Sequence, residues 1–234
     1  MCFGAVCRLP ARTLDPLLHI GPVFFNNYLT MSSTEQRLLI ATNNPGKLAE
    51  LNDLLVGVPL TLLDLSRFPK VSEIEETGQT FDANARLKAS GYALQTGLLA
   101  LADDSGLEVA ALDDRPGVFS ARYGGPDTGF VQKMAKLLAE LEKTGDTGRH
   151  ARFVCSMAIA TADGQVIFTS EGICNGTIAD RPRGSGGFGY DPVFIPDGFP
   201  QTFGELSEGI KRKISHRVRA FEQIIPFLRH FLAI

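Results

Sequence analysis

The chain has 234 residues, of which 44% are hydrophobic and 21% charged, and its formal net charge is −3. This composition is typical of a globular protein with one large domain or two small ones. The negative net charge indicates that the surface taken as a whole is not suited to binding nucleic acid. No apolar run approaches the roughly 18 residues of a membrane span.

The cysteines are too scattered to indicate a metal site or a disulfide scaffold. They are Cys2, Cys7, Cys155 and Cys174, and none forms a C-x-x-C pair. The four histidines are equally dispersed, which argues against a zinc site. This usage favours a reducing compartment, and we expect a cytoplasmic protein.

Residues 1–36 differ in composition from the rest of the chain. They contain two cysteines and three prolines but only two acidic residues, without a clear period. They lack the basic start and long apolar centre of a secretory signal, and basic residues are few for a transit peptide. We expect a disordered or wrongly included extension, with Met31 as a suitable start site, followed by one domain at 37–234.

The domain begins with alternating strand and helix patterns. Residues 37–42 (RLLIAT) predict a short buried strand, residues 43–46 a turn, and Lys47 the opening of a helix. The apolar face of this helix comprises Leu48, Leu51 and Leu55. Thr80 is a suitable N-cap for a second helix. Its predicted inner face comprises Phe81, Ala85, Ala89 and Tyr92.

Two adjacent acids follow the next strand. The apolar run 98–102 (LLALA) ends in Asp103 and Asp104, and a further apolar stretch occupies 107–112. Burying one unpaired carboxylate costs several kcal/mol, and a neighbouring like charge adds to that cost. Either the pair lies in a turn, for which Asp-Ser-Gly is suitable, or a cation lies beside it.

The second half of the domain adds two helices to a mixed sheet. Residues 127–143 have apolar side chains at helical spacing and predict an amphipathic helix. Pro226 should bend or stop the last helix. The apolar positions of that helix are Ile214, Val218, Phe221 and Ile225. We predict an α/β protein whose sheet contains parallel and antiparallel pairs.

A β-hairpin is predicted in the middle of the chain. Residues 152–161 and 165–174 flank Asp163-Gly164, a strong signal for a tight turn. With the turn centred there, position 155 faces 172 and position 174 faces 153. Cys155 and Cys174 are therefore not directly opposed, which argues against a disulfide between them.

The stretch 42-TNNPGK-47 could bind an anion. Free backbone N–H groups at a helix N-terminus attract anions, and Lys47 adds a full positive charge. It is not a Walker A loop, because Leu48 follows the lysine. A simple turn with a solvated lysine is the alternative.

Acidic residues could hold a metal ion. Glu73, Glu75 and Glu76 lie in a polar stretch, and Asp103-Asp104 follow the apolar strand. Mg²⁺ prefers oxygen ligands, usually one or two carboxylates with water and substrate phosphates. A merely solvated acidic loop is the alternative for the glutamates.

The glycine-rich stretch 184–194 (GSGGFGYDPVF) contains a formal G-x-G-x-x-G. Arg181-Pro182-Arg183 precedes it in place of a strand, and YDP follows in place of a helix, so we reject a dinucleotide site. Its aromatic residues could stack on a base or belong to the core.

The basic stretch 211–219 (KRKISHRVR) allows three interpretations. On one continuous helix, Arg212, His216 and Arg219 would share one face, and Lys213 and Arg217 another. The stretch could be a solvated helix, a nucleic-acid patch or a group of cations that hold a triphosphate.

Together these stretches resemble the inosine triphosphate pyrophosphatase family, hydrolases of aberrant purine nucleoside triphosphates. The resemblance covers about 37–231 and rests on six motifs in the family's order. They are T-N-N-P-G-K at 42–47, E-E-T-G-Q-T-F at 75–81, A-D-D-S-G at 102–106, P-G-V-F-S-A-R at 116–122, G-F-G-Y-D-P-V-F at 187–194 and K-x-x-x-S-H-R at 211–217.

The resemblance implies Mg²⁺-dependent cleavage of inosine, deoxyinosine and xanthosine triphosphates to the monophosphate and pyrophosphate. It also implies an elongated two-lobed α/β fold with a central nucleotide-binding cleft, usually in a homodimer. Asp104 would accept a proton and, with Glu76, bind the metal; whether Glu75 takes the place of Glu76 stays open. The phosphates would contact Thr42, Asn43, Asn44, Pro45, Gly46 and Lys47. The rest of the nucleotide site would comprise Ser105, Phe188, Gly189, Tyr190, Asp191, Lys211, His216 and Arg217.

Base selection follows from hydrogen-bond patterns. Donors from His216 or Arg217 at the 6-oxo edge would accept hypoxanthine and xanthine and reject adenine, because adenine carries a 6-amino donor. Two rival functions fit the sequence less well. An aspartyl-phosphate phosphatase would need D-x-D, whereas these acids are adjacent. A nucleic-acid-binding module using 211–219 conflicts with the net charge of −3.

Overall fold

The computed structural model describes residues 36–125 and 127–233. The prediction of an extension at 1–36 therefore falls, except for Gln36, outside the described residues. Among the helices in the described part of the chain, none is long and apolar enough to cross a membrane.

The described domain is built on a mixed β-sheet with the strand order β2-β1-β3-β5-β6-β7, and β4 pairs with β3. The strands are β1 Arg37–Ile40, β2 Thr61–Asp64, β3 Leu99–Val109, β4 Arg115–Pro116, β5 His150–Ala160, β6 Val166–Ile178 and β7 Phe194–Pro196. The helices are α1 Pro45–Leu54, α2 Phe81–Thr96, α3 Phe130–Thr144, α4 Glu208–Ile214 and α5 His216–Leu232. Strands β1, β2 and the start of β3 are parallel, and the other pairs are antiparallel. The predicted α/β class with both kinds of pairing is confirmed; the two-lobed shape stays a prediction.

Strand β3 is the structural centre of the domain. It pairs with β1 only as far as Leu101, but with β5 along its whole length from Ala100 to Val109. The prediction that the apolar strand ends at the aspartates is therefore wrong. Cross-strand bonds to β5 carry the extended backbone straight through Asp103 and Asp104, and the 3₁₀ turn begins only at Ala110.

The two faces of the sheet are covered by different helices. Leu101 lies in a core cluster with residues of α1 and α5, such as Leu51 and Phe221. Ala102 lies in a second cluster, with Ala85 and Ala89 of α2. Because successive side chains of a strand point to opposite faces, Asp103 continues the first face and Asp104 the second. A third cluster joins the far end of β3 to α3.

Several local predictions are confirmed. The Thr80 side chain accepts a hydrogen bond from the Ala83 N–H and caps α2. In the β5–β6 hairpin, Cys155 pairs with Gly172 and Cys174 with Phe153, and both cysteines are free and buried. The predicted helix over 127–143 is also present, although it begins at Phe130.

The C-terminal helix differs from the prediction. Ser215 has an extended conformation (φ −67°, ψ 154°), ends α4, and caps α5 through its side chain. Pro226 does not stop α5, which continues to Leu232. Because the helix is interrupted at Ser215, Arg212 and His216 do not share a helical face as predicted. His216 is buried and Arg212 is exposed.

Candidate active site

A cleft of about 220 Å³ opens beside β3, where β1 has ended and before β4 begins. It brings together fourteen of the sixteen residues predicted for the site. These are Thr42, Asn43, Asn44, Lys47, Glu76, Asp104, Ser105, Phe188, Gly189, Tyr190, Asp191, Lys211, His216 and Arg217. Gly46 instead lines an adjoining cavity, and Pro45 is the first residue of α1. Glu76 lines the cleft, whereas Glu75 is exposed.

The first N–H groups of α1, which one of the two interpretations offered for 42–47 left free for an anion, are already capped by the chain itself. The Asn44 side-chain oxygen already accepts hydrogen bonds from the N–H groups of Gly46 (2.9 Å) and Lys47 (3.2 Å). Pro45 has no N–H to offer. The positive charge on this side of the cleft therefore comes from the Lys47 ammonium.

Asp103 lies in a cationic environment on the α1 and α5 face of the sheet. One of its oxygens, Oδ2, is 2.9 Å from Lys47 Nζ and 3.4 Å from Arg217 Nη2, and it accepts a hydrogen bond from Ser105 Oγ. Burial tends to raise the pKa of Asp103, but Lys47 and Arg217 outweigh burial and hold the pKa well below its usual value. Asp103 is thus an ionised, fully buried carboxylate.

Asp104 belongs to a separate cluster on the α2 face. Lys88 Nζ lies 3.0 Å from Asp104 Oδ1 and 2.7 Å from Glu76 Oε1, so that one ammonium bridges two carboxylates. The other oxygen of Asp104 accepts from Asn84 Nδ2 at 3.2 Å. Arg122 Nη1 lies 3.1 Å from the other oxygen of Glu76.

The two carboxylates of this cluster differ in basicity. Burial and the neighbouring Glu76 charge raise the pKa of Asp104 against the opposing effect of Lys88. For Glu76, Lys88 and Arg122 outweigh burial and lower the pKa. A carboxylate with a raised pKa is the better proton acceptor of the two.

The chemistry of this donor set fits a hard divalent cation. The Lys88 ammonium marks a point on which oxygens of Glu76 and Asp104 converge. In the described residues no group of three or more His, Cys, Asp or Glu side chains is arranged as a metal site. Two carboxylates completed by water and phosphate oxygens are what Mg²⁺ usually accepts.

Cations and an aromatic ring form the opposite wall of the cleft. Lys211 Nζ lies 2.6 Å from Asp191 Oδ2, 2.8 Å from Glu50 Oε1 and 4.6 Å from the centre of the Phe188 ring. The Phe188 ring packs so closely on Gly46 that a Cβ there would lie 2.7 Å from it. Position 46 must therefore be glycine for the Phe188 ring to pack as it does.

Arg217 connects this wall to Asp103. Its guanidinium pairs with Glu50 through Nη1 and donates to Ser105 Oγ (2.9 Å) through Nη2. Burial alone would lower the pKa of Arg217, but Asp103 and Glu50 raise it, so the group is permanently charged. Its Nε has no hydrogen-bond partner among the described residues.

His216 is held by aromatic stacking and Tyr190 by a hydrogen bond. The His216 ring stacks on Phe153 at 4.7 Å, and its Nδ1 has no partner in the described part of the chain. Burial, followed by the charges of Arg217 and Lys211, lowers its pKa well below 6.5, so the ring is neutral. The Tyr190 hydroxyl donates to the Ser120 carbonyl oxygen at 3.1 Å.

The glycine-rich loop has a structural explanation that excludes a dinucleotide site. It leads into a three-residue 3₁₀ turn, Asp191–Val193, and not into an α-helix. Gly187 has a φ of +69°, and a Cβ there would lie 2.0 Å from Asp191 Oδ2. This close approach lets the Phe188 N–H donate to Asp191 Oδ2 at 2.7 Å.

Sequence reasoning missed residues that hold the predicted ones in place. Lys88 and Asn84 follow the inner face of α2, and both are buried beside Asp104. A signal was available, since these polar residues share the helical spacing of Phe81, Ala85 and Ala89. Glu50 on α1 carried no comparable signal, because an exposed glutamate is the ordinary expectation for a helix.

Comparisons with known proteins identify relatives of this chain. A family model described as the Ham1 family matches residues 38–227. A dITP/XTP pyrophosphatase of Geobacter sulfurreducens is 50% identical over 184 residues, which cover 79% of this chain and 92% of that protein. One from Prochlorococcus marinus is 45% identical and covers 84% and 94%.

Solved structures show the same fold. The HAM1 protein of Coxiella burnetii superposes with a TM-score of 0.77 at 41% identity, covering 83% of this chain and 99% of that one. The Ham1 protein of Staphylococcus aureus superposes with a TM-score of 0.75 at 38% identity, with the same coverage.

Proposed function

Since the chain belongs to the Ham1 family, we propose that it is a nucleoside triphosphate pyrophosphatase acting on inosine, deoxyinosine and xanthosine triphosphates. The products are the nucleoside monophosphate and pyrophosphate. The observation that carries the proposal is the division of the cleft. Two convergent carboxylates, Glu76 and Asp104, lie on one side, and the cations Lys47, Lys211 and Arg217 lie on the other.

The cations suit a substrate with a chain of phosphates. Lys47 and Lys211 are both largely buried, with side chains 14% and 10% exposed, so their charges are little screened by solvent. Each is held by a carboxylate, Asp103 or Asp191, that keeps its ammonium at the cleft wall. Interactions of this kind neutralise charge that develops on phosphate oxygens during displacement.

The reaction is direct attack of water on the α-phosphorus. Asp104 accepts a proton from the attacking water, and the bond from the α-phosphorus to the oxygen bridging to the β-phosphate breaks. Pyrophosphate then leaves with the electron pair, and no covalent enzyme intermediate is needed. Glu76 and Asp104 would hold Mg²⁺, which when bound polarises phosphate oxygens and lowers the pKa of coordinated water.

Discrimination between bases would come from the wall of the cleft that contains Lys211, Arg217 and the Phe188 ring, called the cationic wall below. Arg217 Nε carries a buried N–H without a partner among the described residues, and such a donor suits the 6-oxo acceptor of hypoxanthine or xanthine. Adenine would place its amino donor against the same group. The Phe188 ring offers a face for stacking, which contributes roughly 1–3 kcal/mol per base.

The direct test is pyrophosphate release from a panel of purine nucleoside triphosphates, with and without Mg²⁺. We expect rapid metal-dependent release from inosine and xanthosine triphosphates and little from ATP or GTP. Release of orthophosphate would place the cut at another bond and contradict the proposal. No release from any of these substrates would also contradict the proposal, and the chain would then share only its fold with the family.

We also predict the oligomeric state and the cellular compartment. We expect a homodimer, which light scattering coupled to size-exclusion chromatography would detect as twice the 25.3 kDa chain mass. We also expect a cytoplasmic enzyme, which fractionation of the source cells would test.

A further inference from the structure

Asn84 connects the two segments that carry the metal-site carboxylates. It is fully buried on the inner face of α2. Its side-chain oxygen accepts from the Gly78 N–H at 2.7 Å, in the loop that presents Glu76. Its amide nitrogen donates to Asp104 Oδ2 at 3.2 Å. One side chain therefore fixes the loop and the strand carboxylate relative to each other.

The orientation of the Asn84 amide is determined by its partners. The Gly78 N–H can only donate, so the oxygen of the amide must face it and the nitrogen must face Asp104. Asp104 then has a donor on each oxygen, with Asn84 on Oδ2 and Lys88 on Oδ1.

A role in helix formation does not explain Asn84. Thr80 already caps α2 through the Ala83 N–H, and the backbone N–H of Asn84 makes the ordinary bond to the Thr80 carbonyl oxygen. Its neighbour Ala85 lies in a small-residue core with Ala89, Ala100 and Ala102. Asn84 is as buried as Ala85, and both ends of its amide are used by polar partners.

We propose that Asn84 is a positioning residue for the metal-dependent step: it sets the separation and orientation of Glu76 and Asp104 through its bonds to Gly78 and Asp104. The inference rests on the proposed function, since it concerns the same two carboxylates. Partners in the outer shell of a metal site typically change metal affinity or activity by about 10–100-fold when they are replaced.

Gly78 allows the same link to be broken from the other side. A Cβ at Gly78 would lie 2.6 Å from Asn84 Oδ1, so Gly78→Ala pushes the two partners apart without changing a polar side chain. Asn84→Ala removes both bonds. Ser90→Ala is a matched control on α2, because it deletes a hydrogen bond to the Gly164 carbonyl oxygen. Gly209→Ala is the control for Gly78, since its added Cβ meets no atom within 4 Å.

The experiment measures Mn²⁺ binding by calorimetry to the full-length enzyme saturated with α,β-methylene inosine triphosphate, with an enzyme-free blank. We expect Asn84→Ala and Gly78→Ala to raise the Mn²⁺ Kd by about tenfold or more, and both controls to stay within about twofold. With inosine triphosphate and saturating metal, kcat should fall while KM changes little, because the cationic wall is untouched. Thermal unfolding establishes that each variant is folded at the assay temperature.

The outcomes separate the inference from the proposed function. If the wild-type protein binds Mn²⁺ and releases pyrophosphate but both variants bind Mn²⁺ as their controls do, the positioning role of Asn84 is overturned. A lower Tm with unchanged Mn²⁺ affinity has the same meaning, because a merely structural residue would behave so. If the wild-type protein neither binds Mn²⁺ with the analogue nor releases pyrophosphate, the proposed function itself fails.

Discussion

Replacing Lys88 by methionine would remove the only ammonium that bridges Glu76 and Asp104 among the described residues. At the observed separations of 2.7 and 3.0 Å, each attraction amounts to about 6 kcal/mol with an effective dielectric constant of 20. Part of this is offset by the desolvation of the buried charges. Deleting one partner of a buried ion pair costs about 3–5 kcal/mol, because an uncompensated charge remains. For a domain of this size, that loss corresponds to a fall in Tm of roughly 6–20 °C.

The loss should depend on pH in a defined direction. Without Lys88, burial and the neighbouring Glu76 charge raise the pKa of Asp104 further above its usual value of 3.8, because the strongest opposing charge is gone. A group whose pKa is raised on folding contributes stability below its unfolded pKa and loses that contribution as the pH rises through its folded pKa. The deficit of Lys88→Met should therefore be larger at pH 8 than at pH 5.

The assay is urea unfolding at both pH values with divalent metals removed. Lys70→Met, at an exposed loop lysine, serves as the control and should lie within about 0.5 kcal/mol of wild type. A deficit no larger than that of Lys70→Met, or one that is equal at pH 5 and pH 8, would refute the electrostatic account of this cluster.

Two further predictions concern the site, and a third concerns the buried cysteines. Asp104→Asn should fold normally, as judged by circular dichroism, but lose about 10²–10⁴-fold in kcat for pyrophosphate release; near-normal kcat would remove Asp104 from the role of proton acceptor. Arg217→Lys keeps a charge beside Glu50 but loses the guanidinium donors, so the ratio of kcat/KM for inosine to adenosine triphosphate should fall; an unchanged ratio contradicts this account of base selection. Burial raises the pKa of Cys155 to about 12 and that of Cys174 to about 11, so peptide mapping should find both unmodified by iodoacetamide at pH 8 until urea unfolds the protein.

Local signals predicted the parts of the fold that depend on neighbouring residues. Asp163-Gly164 marked the turn of the hairpin, and Cys155 pairs with Gly172 as predicted, although the register shifts once between Ile159 and Ala160. Thr80 was likewise identifiable as a cap, because its partner is three residues away. The path of β3 through Asp103 was not identifiable, because the bonds that extend it come from β5, more than fifty residues later.

The same distinction explains what was missed in the site. The capping of Gly46 and Lys47 by Asn44 is local, but an Asn-Pro-Gly turn does not reveal whether the side-chain oxygen turns back onto the helix. Glu50 acquires its role only when α4 and α5 bring Lys211 and Arg217 against α1. Contacts of that range are set by tertiary packing, for which a single sequence carries no periodic pattern.

The two aspartates are tolerated side by side because each has its own direct partners. In a strand, neighbouring side chains leave opposite faces, so Asp103 and Asp104 enter different layers of the domain. On one face Lys47 and Arg217 neutralise Asp103, and on the other Lys88 and Asn84 hold Asp104. The two aspartates thus have different tasks. Asp103 stays ionised beside Lys47 and Arg217, while Asp104, with its raised pKa, is the proposed proton acceptor. The continuous strand makes this division, because it sends adjacent carboxylates to opposite faces of the sheet.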